Sequence, residues 1–210
     1  MPENAGARIH PTLFLLHGRG ADEEDLLGLV PMLDERLLVV SVRAPIAWEE
    51  GGAGYTWYHV GQIGTPEATS FMASYGALDN FVEDAVQSYP VDKNHLFLLG
   101  FSMGAVMSLA IGLTKPRLFR GIAAHSGYVP EGTPLALLPK ISAPTEFLVS
   151  HGTGDPVIPL VMAHRAQEIL RAAGARLTYR EYPIGHQISE ESLADASTWL
   201  SERLNPPERT

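Results

Sequence analysis

Short apolar runs of strand length, several of them without polar interruption, alternate along this chain with longer stretches of helical periodicity. TLFLLHG (12–18), LLVVSVR (37–43), HLFLLGF (95–101), GIAAHSG (121–127), TEFLVSHG (145–152) and RLTYREYP (176–183) read as strands. A strand with one wet face alternates apolar and polar residues. A continuous apolar run instead marks a strand covered on both faces, as in a parallel sheet flanked by helices. Between the runs, residues 77–89 place Leu78, Phe81, Val82, Ala85, Val86 and Tyr89 at helical spacing. Residues 104–113 are apolar all round, which predicts a buried helix. Residues 158–173 end at Gly174, a suitable C-terminal cap. Residues 189–204 open on Ser189 as N-cap, carry Glu190 and Glu191 in the first turn, and repeat Leu193, Ala196, Trp199 and Leu200. Asp22, Glu23, Glu24 and Asp25 mark another helix start. The alternation predicts an α/β fold with a mainly parallel central sheet and helices on both faces. A length of 210 residues fits one domain spanning 1–210.

Two segments break the rhythm. Residues 44–75 are rich in Gly, Pro and aromatics (Trp48, Tyr55, Trp57, Tyr58, Phe71), and residues 127–144 are Pro-rich. Long loops inside a compact domain are usually functional, so both are expected near the site. Their Trp, Tyr and Leu side chains are candidates for a homodimer patch. Residues 1–11 read as a short tail without the basic and apolar regions of a leader peptide, which points to a cytoplasmic protein. The longest apolar runs are too short to span a membrane. The net charge of −9 and the absence of any extended Lys/Arg cluster argue against nucleic acid or anionic membranes as partners. With no cysteine, disulfides, thiolate metal sites and Cys nucleophiles are excluded.

The chemistry is concentrated in Gly100-Phe101-Ser102-Met103-Gly104, a G-x-S-x-G pattern between a predicted strand and a predicted helix. That context is the one a nucleophile elbow requires. The glycines remove side chains that would collide as strand and helix pack together, and the hydroxyl stands out at the carboxyl edge of the sheet. The backbone N–H of Met103, in the first helical turn, is placed to receive a developing oxyanion.

A serine nucleophile needs a base, and the base needs an orienting acid. On such a sheet the two follow in the order acid, then His. Asp155, in HGTGDPVIP, is the one Asp between Ser102 and His186, and it directly follows a strand. Among the rivals, Glu146 starts a strand, Glu168 lies on a helix, and Glu181 sits late in an outer strand. Glu131 is reachable but ranks below Asp155. His186, in YPIGHQIS, lies in the loop after the last strand, again at the carboxyl edge. His17 and His151, each followed by Gly at a strand end, read as turn organisers. His125 reads as a satisfied core residue, His164 as surface, and His95 and His10 as remote; His59 stays open. A second oxyanion donor is expected in LLHGRGAD (15–22), where Gly18 and Gly20 bracket Arg19. A dinucleotide fingerprint there fails at Glu23, no P-loop is present, and no H-E-x-x-H or comparable metal-ligand cluster occurs. No cofactor is expected.

At this point the chain resembles the carboxylesterase/phospholipase family that includes the acyl-protein thioesterases, within the α/β-hydrolase superfamily. The landmarks are LLHGRGAD (15–22), VRAP (42–45), Trp57-Tyr58, LLGFSMGAVMSL (98–109), HSGYVP (125–130), HGTGDPVIP (151–159) and YPIGHQIS (182–189), in order over nearly the whole chain. The resemblance implies an α/β-hydrolase fold, with Ser102, Asp155 and His186 as the triad and the backbone N–H groups of Arg19 and Met103 as oxyanion donors. It also marks two departures: Met103 where Gln is common, and Arg19 where Leu is. The Arg19 side chain can hang at the pocket mouth or turn outward into solvent, and the second is favoured. Residues 127–144 are too few for a large cap domain, so an open pocket is expected, with Trp57 and Val157 in its wall. The expected function is hydrolysis of small or medium acyl esters by a serine carboxylesterase. Acyl thioesterase and lysophospholipase activities use the same machinery. A non-catalytic binding module is the alternative of another class.

Overall fold

The computed structural model describes residues 9–49, 52–62, 64–141 and 145–205. Most of the expected tail (1–8), Gly51 of the Gly-rich stretch and residues 142–144 of the second loop lie outside the described residues. Strand β1 (His10–Leu16) divides its side chains between two cores. Phe14 and Leu16 enter one, Leu13 and Leu15 the other. This two-residue period is the reason the run is apolar throughout: both faces of the strand are covered. The strand begins at His10, inside the segment read as tail.

After β1 come a 3-10 helix (Asp25–Met32) and β2 (Leu38–Val42). Two small hairpins follow, β3 (Ile46–Ala47) with β4 (Tyr55–Thr56) and β5 (Val60–Gln62) with β6 (Thr65–Pro66). Then come α1 (Ala68–Ser88), β7 (Val91–Phe101), α2 (Met103–Thr114), β8 (Gly121–His125), β9 (Glu146–Gly152), α3 (Leu160–Ala172), β10 (Arg176–Tyr182) and α4 (Glu190–Leu204). Six strands form one sheet in the order β10-β9-β8-β7-β1-β2, and every pairing within it is parallel. Helices α1, α2 and α3 pack on the face that holds Phe14, Leu98 and Phe147. Helix α4 and the 3-10 segment cover the other face through Leu26, Trp199 and Leu200. The expected α/β architecture is present. Helix α2 is buried from Met103 to Leu113, as its all-round apolar sequence requires. Ser189 caps α4 in a reciprocal capping box with Ser192.

Several boundaries differ from those read in the sequence. Helix α1 starts at Ala68, because the Glu67 carboxylate accepts the N–H groups of Thr69 and Ser70. TSFMASYG is a poor helix sequence by propensity, but Phe71 and Ser74 are fully buried against the core, and packing decides. Phe81 and Tyr89, placed on the apolar face, are exposed instead. The helix expected at Asp22–Asp25 is a 3-10 turn from Asp25, interrupted by Pro31, whose missing N–H cannot continue an α-helix. The loop 44–75 is folded into the two hairpins and the first turns of α1. Its Trp57, Tyr58 and Phe71 are buried, as is Tyr128 in the second loop. These aromatics are therefore unavailable to a dimer patch. No helix among the described residues is long and apolar enough to cross a membrane.

Parallel pairing puts all six carboxyl ends at one edge. Leu16 pairs with Gly100, Phe101 with His125, His125 with Ser150, and Tyr182 with Gly152. The residues just beyond those ends share one cleft.

Candidate active site

Strand β7 ends at Phe101 and α2 starts at Met103, leaving Ser102 alone in the turn. Its backbone is at φ 55° and ψ −117°, a conformation L-residues rarely adopt. Such strain costs about 1–3 kcal/mol and persists only where the surroundings enforce it. Here Ser102 N–H donates to His125 O at 3.0 Å, and Ser102 O accepts from Val106 N–H at 3.1 Å. A Cβ on Gly104 would lie 2.0 Å from Leu16 O, and one on Gly100 2.4 Å from Gly104 O. Strand and helix therefore meet backbone to backbone at this turn. Gly104→Ala is expected to cost more than the ~1–3 kcal/mol of ordinary overpacking, because the obstructing atom is a carbonyl in the central sheet. That corresponds to a fall in Tm of roughly 10 °C. A variant melting like the wild type would refute the close approach.

The structure brings the three residues read from the sequence together. His186 Nε2 is 2.9 Å from Ser102 Oγ, and His186 Nδ1 is 2.7 Å from Asp155 Oδ2. The Asp155 side chain is fully buried, and His186 is slightly exposed. Asp155 Oδ1 accepts from Val157 N–H and Ile158 N–H, each at 2.9 Å. Burial disfavours the charged carboxylate, but the bonds from His186, Ile158 and Val157 outweigh it and hold its pKa below the ordinary carboxylate value. The Phe101 ring, 4.9 Å from the imidazole, packs against His186.

The rival acids are elsewhere. Glu131 pairs with Arg165 on the surface, Glu146 with Arg203 at the far edge, and Glu181 with His164. Glu168 is on α3 beside Arg165. His17, His95, His125, His151 and His164 have structural partners. His17 Nδ1–H donates to Gly18 O at 2.7 Å and its Nε2 accepts from Ala44 N–H at 3.0 Å, so it does organise the turn. His151 donates to Ile158 O at 2.8 Å. His95 bonds Asp92 at 2.7 Å.

His125 is a satisfied core residue: Nε2–H donates to Gln187 O at 2.9 Å, and Ser150 Oγ–H donates to Nδ1 at 2.7 Å. Burial pushes its pKa from 6.5 down to about 4, against the bond to Gln187. In the unfolded chain this imidazole takes up a proton below pH 6.5, in the folded protein only below about 4. The unfolded state binds more protons across that window, so stability falls as pH falls through it. For His125 alone the loss approaches about 3 kcal/mol. Burial also lowers the pKa of His17 and His151, adding to the slope. Urea denaturation between pH 7 and 4.5 is expected to show a smaller loss of stability for His125→Gln than for the wild type. Equal slopes would count against a neutral buried imidazole.

Met103 and Arg19 carry the N–H groups expected to face an oxyanion. Met103 opens α2, where the first N–H groups lack acceptors within the helix. Its side chain is buried, with the sulfur 3.2 Å from the Thr56 hydroxyl, which also reaches Tyr58 O at 3.0 Å. Position 103 thus ties the elbow to β4, a contact invisible in the sequence. Arg19 lies in the turn after β1, where Gly20, at φ 80°, lets the chain curl under Trp48. Gly20 N–H donates to Tyr55 O and Tyr55 N–H to Ala21 O, both at 2.8 Å. The turn is thereby fixed to β4.

A cavity of about 180 Å³ opens at Ser102, walled by Arg19, Tyr58, Val60, Met103, Tyr128, Val157 and Ile158. Val157 is in the wall, as expected. Trp57 is not: it is 1% exposed, and its Nε1–H donates to His17 O at 2.9 Å. Of this neighbouring pair, the one facing the cavity is Tyr58. Its hydroxyl lies 3.2 Å from that of Tyr128. The sequence held both tyrosines, but no local pattern in it selects Tyr58 over Trp57. Arg19 does not simply turn outward. Though exposed, it stands over the Trp48 ring at 5.4 Å and borders the cavity. Among the described residues, no cluster of His, Cys, Asp or Glu could hold a metal ion.

A model of the phospholipase/carboxylesterase family matches residues 3–204. Among curated proteins, acyl-protein thioesterase 1 of Debaryomyces hansenii is 27% identical over 77% of this chain and 74% of its own length. Carboxylesterase SOBER1 of Arabidopsis thaliana is 26% identical over 76% of this chain and 73% of its own. Among solved structures, the Bacillus cereus carboxylesterase superposes with a TM-score of 0.82 at 25% identity, covering 92% of this chain and 89% of that one. With a parallel six-stranded sheet, a serine in a strained turn at its carboxyl edge and a family match over nearly its whole length, this chain is a member of the phospholipase/carboxylesterase family of α/β-hydrolases.

Proposed function

We propose that the protein is a single-domain serine carboxylesterase acting on small or medium acyl esters through Ser102, His186 and Asp155. The reading is carried by the hydrogen-bonded chain from Ser102 Oγ through His186 to the buried Asp155, at the foot of the cavity. Ser102 Oγ attacks the acyl carbonyl while His186 Nε2 takes its proton. The oxyanion is received by the N–H groups of Arg19 and Met103, and Asp155 holds the imidazole with Nδ1 protonated. His186 returns the proton to the leaving alcohol, which departs. Water then attacks the acyl-enzyme, with His186 again as base, releasing the acid and restoring Ser102.

The cavity is smaller than the ~300–1,000 Å³ of sites that enclose drug-sized ligands, which supports short acyl groups. On a panel of aryl esters of increasing chain length, kcat/KM is expected to peak among the short members and fall for long ones. A monotonic rise with chain length would rule out this pocket as the acyl site. A thioester arm of the panel distinguishes the second reading, an acyl thioesterase, which the name of the Debaryomyces hansenii relative favours. A fluorophosphonate probe decides against a mere binding module: covalent labelling is expected at Ser102, and an unlabelled serine with no ester turnover would overturn the assignment.

A further inference from the structure

The chemistry above uses only the backbone of Arg19, yet its side chain occupies a defined place. The guanidinium carbon lies 5.4 Å from the centre of the Trp48 ring, and Arg19 borders the cavity that reaches Ser102. An adjoining recess of about 80 Å³ shares Arg19, Tyr58 and Val60 and is completed by Trp48, Thr56 and His59. Three nearby acids are engaged elsewhere: Glu23 with Arg43, Asp22 with the N–H of Glu24, and Asp155 with His186. Among the described residues, no carboxylate forms an ion pair with Arg19. Its charge reaches the cavity wall. Burial raises the Tyr58 phenol well above its ordinary pKa, and the Arg19 cation acts in the opposite direction.

The position of this cation is unusual for the molecule. A net charge of −9 gives the protein a field that repels anions. A guanidinium at the mouth of the cavity sets a positive charge against that field. It presents a planar fork of donors matched to a carboxylate, already oriented by its aromatic support. A neutral ester can only accept a hydrogen bond from it, whereas a carboxylate adds the opposite charge.

We propose that Arg19 is a specificity-determining residue that selects esters carrying a free carboxylate a few atoms from the scissile carbonyl. The small cavity limits the spacer, and the guanidinium beside Trp48 sets where the anion is drawn. The inference rests on the serine esterase reading and deepens it.

The test compares two aryl esters of one dicarboxylic acid, the 4-nitrophenyl monoester of adipic acid with its far carboxylate free and the same compound as its methyl ester. The quantity read is the ratio of their kcat/KM values. Any effect of a substitution on the backbone of residue 19 acts on both and cancels. In the wild type the anionic ester is expected to be favoured by about 10-fold or more, less so as salt rises from about 0.05 to 0.5 M. In Arg19→Gln the ratio is expected to fall towards one. A wild-type ratio at or below one, or a preference that survives in Arg19→Gln, overturns the inference. If the neutral ester is turned over and Ser102 is labelled in those cases, the esterase reading stands without it. If neither ester is hydrolysed and Ser102 stays unlabelled, the reading itself falls, and the inference with it.

Discussion

Ser102→Ala is expected to lower kcat for ester hydrolysis by about 10⁴–10⁶-fold, with the fold intact and KM little changed. The hydroxyl is the only atom lost, and it is the one that would form the acyl bond. Ser102 is 8% exposed, and its backbone bonds to His125 and Val106 do not involve the side chain. The strained turn and the N–H groups of Arg19 and Met103, the proposed oxyanion donors, therefore remain in the variant. They account for the residual rate over water, expected at about 10³–10⁴-fold. His186→Ala should fall to a similar level, because without the base the hydroxyl at 2.9 Å is a poor nucleophile at neutral pH. The double variant is expected to be no worse than either single one, since residues acting as a unit are not additive. Near-normal turnover by Ser102→Ala would overturn the nucleophile assignment, and additive losses in the double variant would show that the two groups act independently.

Much of this site was legible from placement alone. A serine between strand and helix, one intervening Asp after a strand, and a His in the last loop all fall at carboxyl ends once the sheet is parallel. The register then brings them to one edge. The cavity wall was not legible in the same way. Trp57 and Tyr58 lie in the bend after β4, where no strand period says which of them faces the site. Reading 44–75 as a loop cuts helix α1 short at residue 77, because its start is set by the Glu67 cap and by burial of Phe71. The sulfur of Met103 and the stacking of Arg19 on Trp48 are contacts between segments distant in sequence. No local pattern encodes such pairs.

Asp155→Asn is expected to reduce kcat by about 10⁴-fold while leaving the fold and KM close to wild type. In the native site the two carboxylate oxygens have separate partners. Oδ1 accepts from the N–H groups of Val157 and Ile158, and Oδ2 accepts from His186 Nδ1–H. An amide can keep the first set only by placing its oxygen at the Oδ1 position. Its NH₂ group then faces His186 Nδ1, and a donor there requires the ring nitrogen to be unprotonated. The proton moves to Nε2, the atom that must accept from Ser102 Oγ. The base is thus present, correctly placed and in the wrong tautomer. Flipping the amide would restore the tautomer but set NH₂ against two backbone N–H groups in a fully buried position, and such unpaired donors are costly. Because the retained oxygen still satisfies Val157 and Ile158, thermal stability at pH 7 should change far less than activity. A fall in kcat below about 10-fold, at unchanged Tm, would show that His186 does not depend on Asp155 for its orientation.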